Sequence, residues 1–184
     1  MIEPFEKWAI DFVGPINPTS LNKKNILICI DFITKWVEAK VVSFATESVV
    51  VDFLLTEVLT RFGVPREIVS ENQPQFISNL LQGVMEQYNI RHKKSTSYHS
   101  QANGQVQSTN KVIESIPTKM VNIHRKDWVD KLPQALLAYR TTWRNNTRYT
   151  PYELVYGKHV LLPIEFQINT SRTVVQLGLD LSEV

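Results

Sequence analysis

The chain is predicted to fold as a mixed α/β domain. Its sheet should have five strands, an antiparallel meander followed by parallel strands, with helices on both faces. Three observations predict this. Runs of β-branched and aromatic residues recur three times within the first 42 residues, divided by turn residues. From Thr46 the apolar spacing changes to the helical period. Two further short strand-like runs then alternate with helical patterns, the order expected of a sheet sandwiched between helices.

EKWAIDFVG (6–14) is a strand ended by Gly14 and Pro15. The polar stretch 17–25, with Pro18, is a turn. NILICIDFITKW (25–36) is a second, well-buried strand and VEAKVV (37–42) a third. Over 46–62, Val49, Val50, Phe53, Leu54, Val58 and Phe62 share a helical face. Thr46 is placed as its N-cap, Glu47 lies in the favoured first turn, and Gly63 and Pro65 stop it. REIVSE (66–71) is a short strand. Leu80, Leu81, Val84, Met85 and Tyr88 mark a second amphipathic helix, and RHKKST (91–96) a short basic strand. A helix is expected over 104–116, with Pro117 placed to break or kink it. Trp128, Leu132, Ala135, Leu136 and Tyr139 mark another. Its candidate N-cap is Asp127, but Pro133 follows so closely that a late start is expected. PYELVYG (151–157) and LLPIEF (161–166) read as ordered coil packed on the domain. The organisation expected is a core over 1–150 and a C-terminal extension over 151–184.

Composition narrows the class. A hydrophobic content of 43% suffices for a real core, and no low-complexity block suggests disorder. No apolar run approaches the ~20 residues that span a bilayer. The opening MIEPFEKW does not resemble a secretory leader, so an intracellular protein without membrane attachment is expected. The single cysteine, Cys29, lies in an apolar run and is expected to be buried and inert. A net charge of +2 permits nucleic-acid binding without arguing for it. Local basic clusters at 91–94, 124–126 and 140–148 matter more. The tryptophans 8, 36, 128 and 143 are expected in the core rather than as stacking platforms. His92 and His99 are too isolated to be read as metal ligands.

Two acids stand out on strands. Asp11 alternates with Ile10 and Phe12, and Asp31 sits in the same tripeptide, IDF. A strand carboxylate near a core is costly unless paired, hydrogen-bonded or metal-bound. Spacing alone does not say which of the two is structural.

Longer motifs separate them. WAIDFVGP (8–15), RFGVPREIVSEN (61–72) and YHSQANGQVQSTN (98–110) resemble the three acid-bearing segments of retroelement integrase catalytic cores, with the gypsy-class LTR retrotransposons of plants as the nearest kin. DWVDKLPQALLAYRTT (127–142) and TPYELVYGK (150–158) resemble the downstream part of the same family. The element order is that of the ribonuclease-H-like fold. The resemblance places the catalytic positions at Asp11, Glu71 and Gln107, where the family has Asp, Asp and Glu. It leaves Asp31 outside the ligand set. It implies two Mg²⁺ or Mn²⁺ ions, held by Asp11 and Glu71, that serve in-line phosphoryl transfer onto DNA. It places Asn72, His99, Gln101 and Lys111 against nucleic acid. The partners implied are element ends and target DNA, together with a second copy of the chain, and the compartment implied is the nucleus. The family's zinc-binding and C-terminal modules would lie outside 1–184, so a core alone is expected to be insufficient for full integration.

The departures from the family pattern fall on the chemistry. Gln107 offers an amide oxygen without charge, and Glu71 is one methylene longer than Asp. Gln73 replaces a glycine and Pro74 follows it, which should keep this loop extended. Ser100 replaces a proline. The expected activity is therefore weak or absent. The rival readings are a non-catalytic nucleic-acid-binding or dimerisation module, and a ribonuclease H proper.

Overall fold

The computed structural model describes residues 2–95 and 127–161. Strands β1 (Lys7–Val13), β2 (Asn25–Asp31) and β3 (Val37–Val42) form the predicted antiparallel meander. β4 (Glu67–Glu71) and β5 (Arg91–Ser95) add on the other side of β1, both parallel to it. The sheet order is β3-β2-β1-β4-β5. β2 is buried throughout because helices cover both faces, which is why its sequence is a continuous apolar run rather than an alternating one.

The two faces form separate cores. Trp8, Ile10, Leu27, Cys29 and Ile68 pack against helix α1 (Glu47–Phe53), its continuation, and helix α2 (Asn79–Gln87). Ala9, Ile28, Ile30 and Val69 pack against helix α3 (Trp128–Thr141) through Trp128, Leu132 and Leu136. Cys29 is fully buried, and burial pushes its thiol pKa well up, as an inert core cysteine requires.

The N-cap Thr46 accepts from Val49 N as predicted. Beyond Phe53 the helix opens into a π-helical stretch, Leu54–Leu59, and closes with Thr60–Phe62. Thr56 and Thr60 donate their hydroxyls to carbonyls four residues back, a competition with the backbone ladder that loosens helices. At Gly14 (φ +143°) an added Cβ would lie 2.6 Å from Asn25 Oδ1 and 2.7 Å from Lys24 O, so the exit from β1 requires glycine.

Five expectations are corrected or bounded. α3 starts at Trp128, not late: Pro133 sits inside the helix, where burial of Trp128, Leu132 and Leu136 outweighs the one lost backbone bond. Asp127 occupies the N-cap position but makes no capping bond with its side chain. PYELVY is not coil but helix α4 (Pro151–Tyr156), held by a reciprocal capping box between Thr150 and Glu153, with Gly157 left-handed at its end. Its Tyr152 and Val155 pack on the first core. Trp143 is 57% exposed, whereas Trp8, Trp36 and Trp128 are buried. The helix expected over 104–116 and the kink at Pro117 lie outside the described residues.

At the β3 edge the buried Glu38 carboxylate accepts from Trp36 Nε1 (2.7 Å), Arg140 (2.9 Å) and Arg61 (3.0 Å). Arg140 also donates twice to Val37 O and lies 4.3 Å from the Trp36 ring centroid. This cluster ties α3 to the sheet on one side and the end of the α1 segment on the other.

Candidate active site

Asp31 is the structural acid. It is fully buried and accepts four hydrogen bonds: from Phe5 N (2.9 Å), Ile33 N (3.1 Å), Thr34 N (2.6 Å) and Thr34 Oγ1 (2.8 Å). It stitches the β2–β3 turn to the N-terminal segment and has no free oxygen face to offer a ligand. Burial pushes its carboxyl pKa up, and the four donors pull it back.

Asp11 is placed differently. It lies on β1 between Ala9 and Val13, half-buried, and its Oδ1 accepts from Phe12 N at 2.8 Å. The parallel pairing of β1 with β4 runs from Lys7 with Glu67 to Ile10 with Ser70. One further step along that register sets Asp11 beside Glu71, the last residue of β4. Neighbouring strands are about 4.8 Å apart, and residues in register point to the same face. The two carboxylates thus sit side by side on adjacent parallel strands, Glu71 at the end of β4 and Asp11 two residues before the end of β1, on the face of the second core.

The loop after Glu71 behaves as its residues dictate. Asn72 is exposed. Gln73 is extended (φ −86°, ψ 149°), as Pro74 demands, and Pro74–Phe76 forms a single 3₁₀ turn. Gln73 turns its amide back on the acid, Nε2 to Glu71 Oε2 at 3.4 Å, and its own Oε1 is taken by Gln75. Among the described residues no group of three or more His, Cys, Asp or Glu side chains forms a metal site. Asp11 and Glu71 are the two carboxylates on this face that could hold a divalent cation. Gln107, Lys111, His99 and Gln101 lie outside the described residues.

Sequence reasoning missed one residue pair at this site. Ser70, buried between Val69 and Glu71, donates its hydroxyl to Glu71 O (2.9 Å) and meets His92 Nε2 of β5 (2.8 Å). With the hydroxyl so committed, the neutral ring donates from Nε2. Burial first, and then the charge of Lys94, hold the His92 pKa below its ordinary value. The β4–β5 register pairs His92 with Ile68 and Ser70 with Lys94, which sets Ser70 and His92 diagonally on one face, but register is not visible in one strand alone. The pair ties the edge strand to the residue before the second acid.

A five-stranded mixed sheet with acids side by side on adjacent parallel strands defines the ribonuclease-H-like class. Residues 2–100 match the integrase core domain, and the chain belongs to that family. Over 151 residues, 82% of this chain, it is 38% identical to the Gag-Pol polyprotein of gibbon ape leukemia virus, of which it spans 9%. Its fold is similar to a chain of the simian T-cell lymphotropic virus intasome in complex with PP2A regulatory subunit B56 gamma (TM-score 0.69, 20% identity, 86% of this chain and 57% of that one). It is also similar to the HTLV-2 integrase catalytic core domain in complex with magnesium (TM-score 0.62, 17% identity, 82% of this chain and 96% of that one). The match to an integrase core extends over the segments that carry Asp11 and Glu71.

Proposed function

We propose that this chain is the catalytic core of an LTR-retrotransposon integrase, built for metal-dependent phosphoryl transfer onto DNA, and that its chemistry is impaired. The juxtaposition of Asp11 and Glu71 carries the reading. Asp11 and Glu71 would hold the Mg²⁺ or Mn²⁺, which when bound would stabilise charge on the attacking and leaving oxygens. Asp11 is held by its own strand, and its bond from Phe12 N fixes one oxygen. Glu71 brings the second charge on a longer side chain whose Oε2 already faces the Gln73 amide. Gln107 at the third position adds no charge, so a second dication lacks the negative oxygens it needs. The proposal includes the gypsy-class plant origin, DNA element ends and targets as partners, pairing with a second copy through helices that flank the sheet, and a nuclear location. It also takes 1–150 as the core and 151–184 as an extension of it.

The inward turn of Gln73 favours a second reading, a nucleic-acid-binding or dimerisation module that keeps the fold without the reaction. A strand-transfer assay with a labelled DNA end and a target duplex in Mg²⁺ tests the impaired site. No joined product above background is expected. Joined product that disappears in Asp11→Asn would show the site competent and overturn the impairment.

A further inference from the structure

We propose that the hairpin at 142–149, just beyond the C-terminal end of α3, is a second nucleic-acid surface that takes an unpaired strand. The two ends of α3 fix its position. Trp128 Nε1 donates to Pro18 O, just beyond β1, whereas Arg140 donates to Val37 O at the start of β3. The hairpin follows that second end, beside β3, the strand at the opposite edge of the sheet from β5.

The hairpin is built rather than loose. Arg144 N donates to Tyr149 O (3.2 Å), Arg148 N to Arg144 O (2.8 Å) and Thr147 Oγ1 to Tyr149 O (3.0 Å). This frame holds two aromatic rings outward. Trp143 is 57% and Tyr149 53% exposed, with ring centroids 6.5 Å apart. Large apolar faces held in water on an ordered frame need a reason, since the other three tryptophans are buried.

The charges beside the rings identify the occupant. Residues 140–152 contain three arginines and no acid. Arg140 is committed to Glu38, but neither Arg144 nor Arg148 is ion-paired among the described residues. The Arg144 guanidinium stacks 4.0 Å from the Tyr139 ring centroid and adds fixed positive charge behind the rings, while Arg148 is exposed beside Tyr149. Exposed π-faces interleaved with unpaired guanidinium groups suit a strand that offers bases for stacking and phosphates for pairing. A closed duplex offers phosphates but keeps its bases stacked on one another, so an unpaired strand uses both features and a duplex only one. The proposal deepens the nucleic-acid binding proposed above and rests on it.

The test is titration of the whole chain with an oligothymidylate of about a dozen nucleotides, and with a duplex of equal length. Fluorescence anisotropy of the labelled DNA gives affinity, and quenching of tryptophan emission reports on Trp143. Oligothymidylate is expected to quench native emission. Trp143→Ala should weaken its binding about 5- to 100-fold, and Trp143→Phe should recover most of that. Arg148→Ala should flatten the salt dependence by about one unit of log–log slope. Duplex affinity should change little in Trp143→Ala. Circular dichroism should show the same melting for each variant, because Trp143 and Arg148 are exposed. Duplex binding with unaltered oligothymidylate binding in Trp143→Ala would overturn this proposal and leave the broader one standing. Binding of neither DNA would overturn both. A dimer that Trp143→Ala converts to monomer, with DNA affinity unchanged, would mark the hairpin as a self-association surface and overturn it also.

Discussion

Replacing Asp31 with alanine should cost the fold about 3 kcal/mol, more than replacing Asp11 with asparagine does. Asp31 accepts four hydrogen bonds, of which the two from Thr34 are buried and those from Phe5 and Ile33 partly so. Alanine relieves the burial of a charge but strands the donors, and a stranded buried donor costs about 1–3 kcal/mol. The Thr34 hydroxyl can rotate to another acceptor, and the partly buried amides reach water at some cost. The net loss is therefore about 3 kcal/mol rather than the sum of four bonds. For a chain of this size that lowers Tm by about 6–12 °C. Asp11→Asn keeps an oxygen for Phe12 N at a half-buried position, so its Tm should fall by less than that of Asp31→Ala. Thermal melts by circular dichroism at pH 7 decide between them. Equal Tm values for the two variants would refute the assignment of Asp31 to structure and Asp11 to the site.

Two further outcomes follow from buried polar groups. Glu38→Ala removes the acceptor shared by Arg140, Arg61 and Trp36 and should destabilise by about 3 kcal/mol, the low end for a broken buried pair because Arg61 is 40% exposed; a denaturant midpoint unchanged from the parent would show the cluster to be energetically idle. His92 is held neutral below its ordinary pKa, so at mildly acid pH the unfolded chain binds a proton that the folded chain refuses, and stability rises with pH across that window. Urea titrations at pH 5 and pH 7 should show the parent losing more stability on acidification than His92→Gln does, and equal losses would contradict the argument.

The fold was legible because patterning and stop signals agreed. The meander, the Thr46 cap and the extended Gln73 all follow from local chemistry that the tertiary structure leaves in place. Helix α4 was read as coil: Thr150, Pro151 and Glu153 spell a capping box, but six residues are too few for periodicity to show. Pro133 misled because local propensity was weighed without the burial that overrides it. The π-helical turn left no trace in the apolar spacing. Asp11 and Asp31 share the tripeptide Ile-Asp-Phe, and only the contacts made by the surrounding backbone distinguish them. Ser70 and His92 are 22 residues apart and meet only once β4 and β5 are in register. Trp143 was assigned to the core from its type alone, which says nothing about a hairpin that holds a ring outward.

Calorimetric titration with Mg²⁺ and Mn²⁺, on this chain and on Glu71→Asp/Gln107→Glu, tests the central claim most directly. The account predicts that the native chain fails to bind two ions and that the double variant binds two. Tight binding of two ions by the native chain would contradict it, and would show that Glu71 and the amide at 107 suffice for the metal centre.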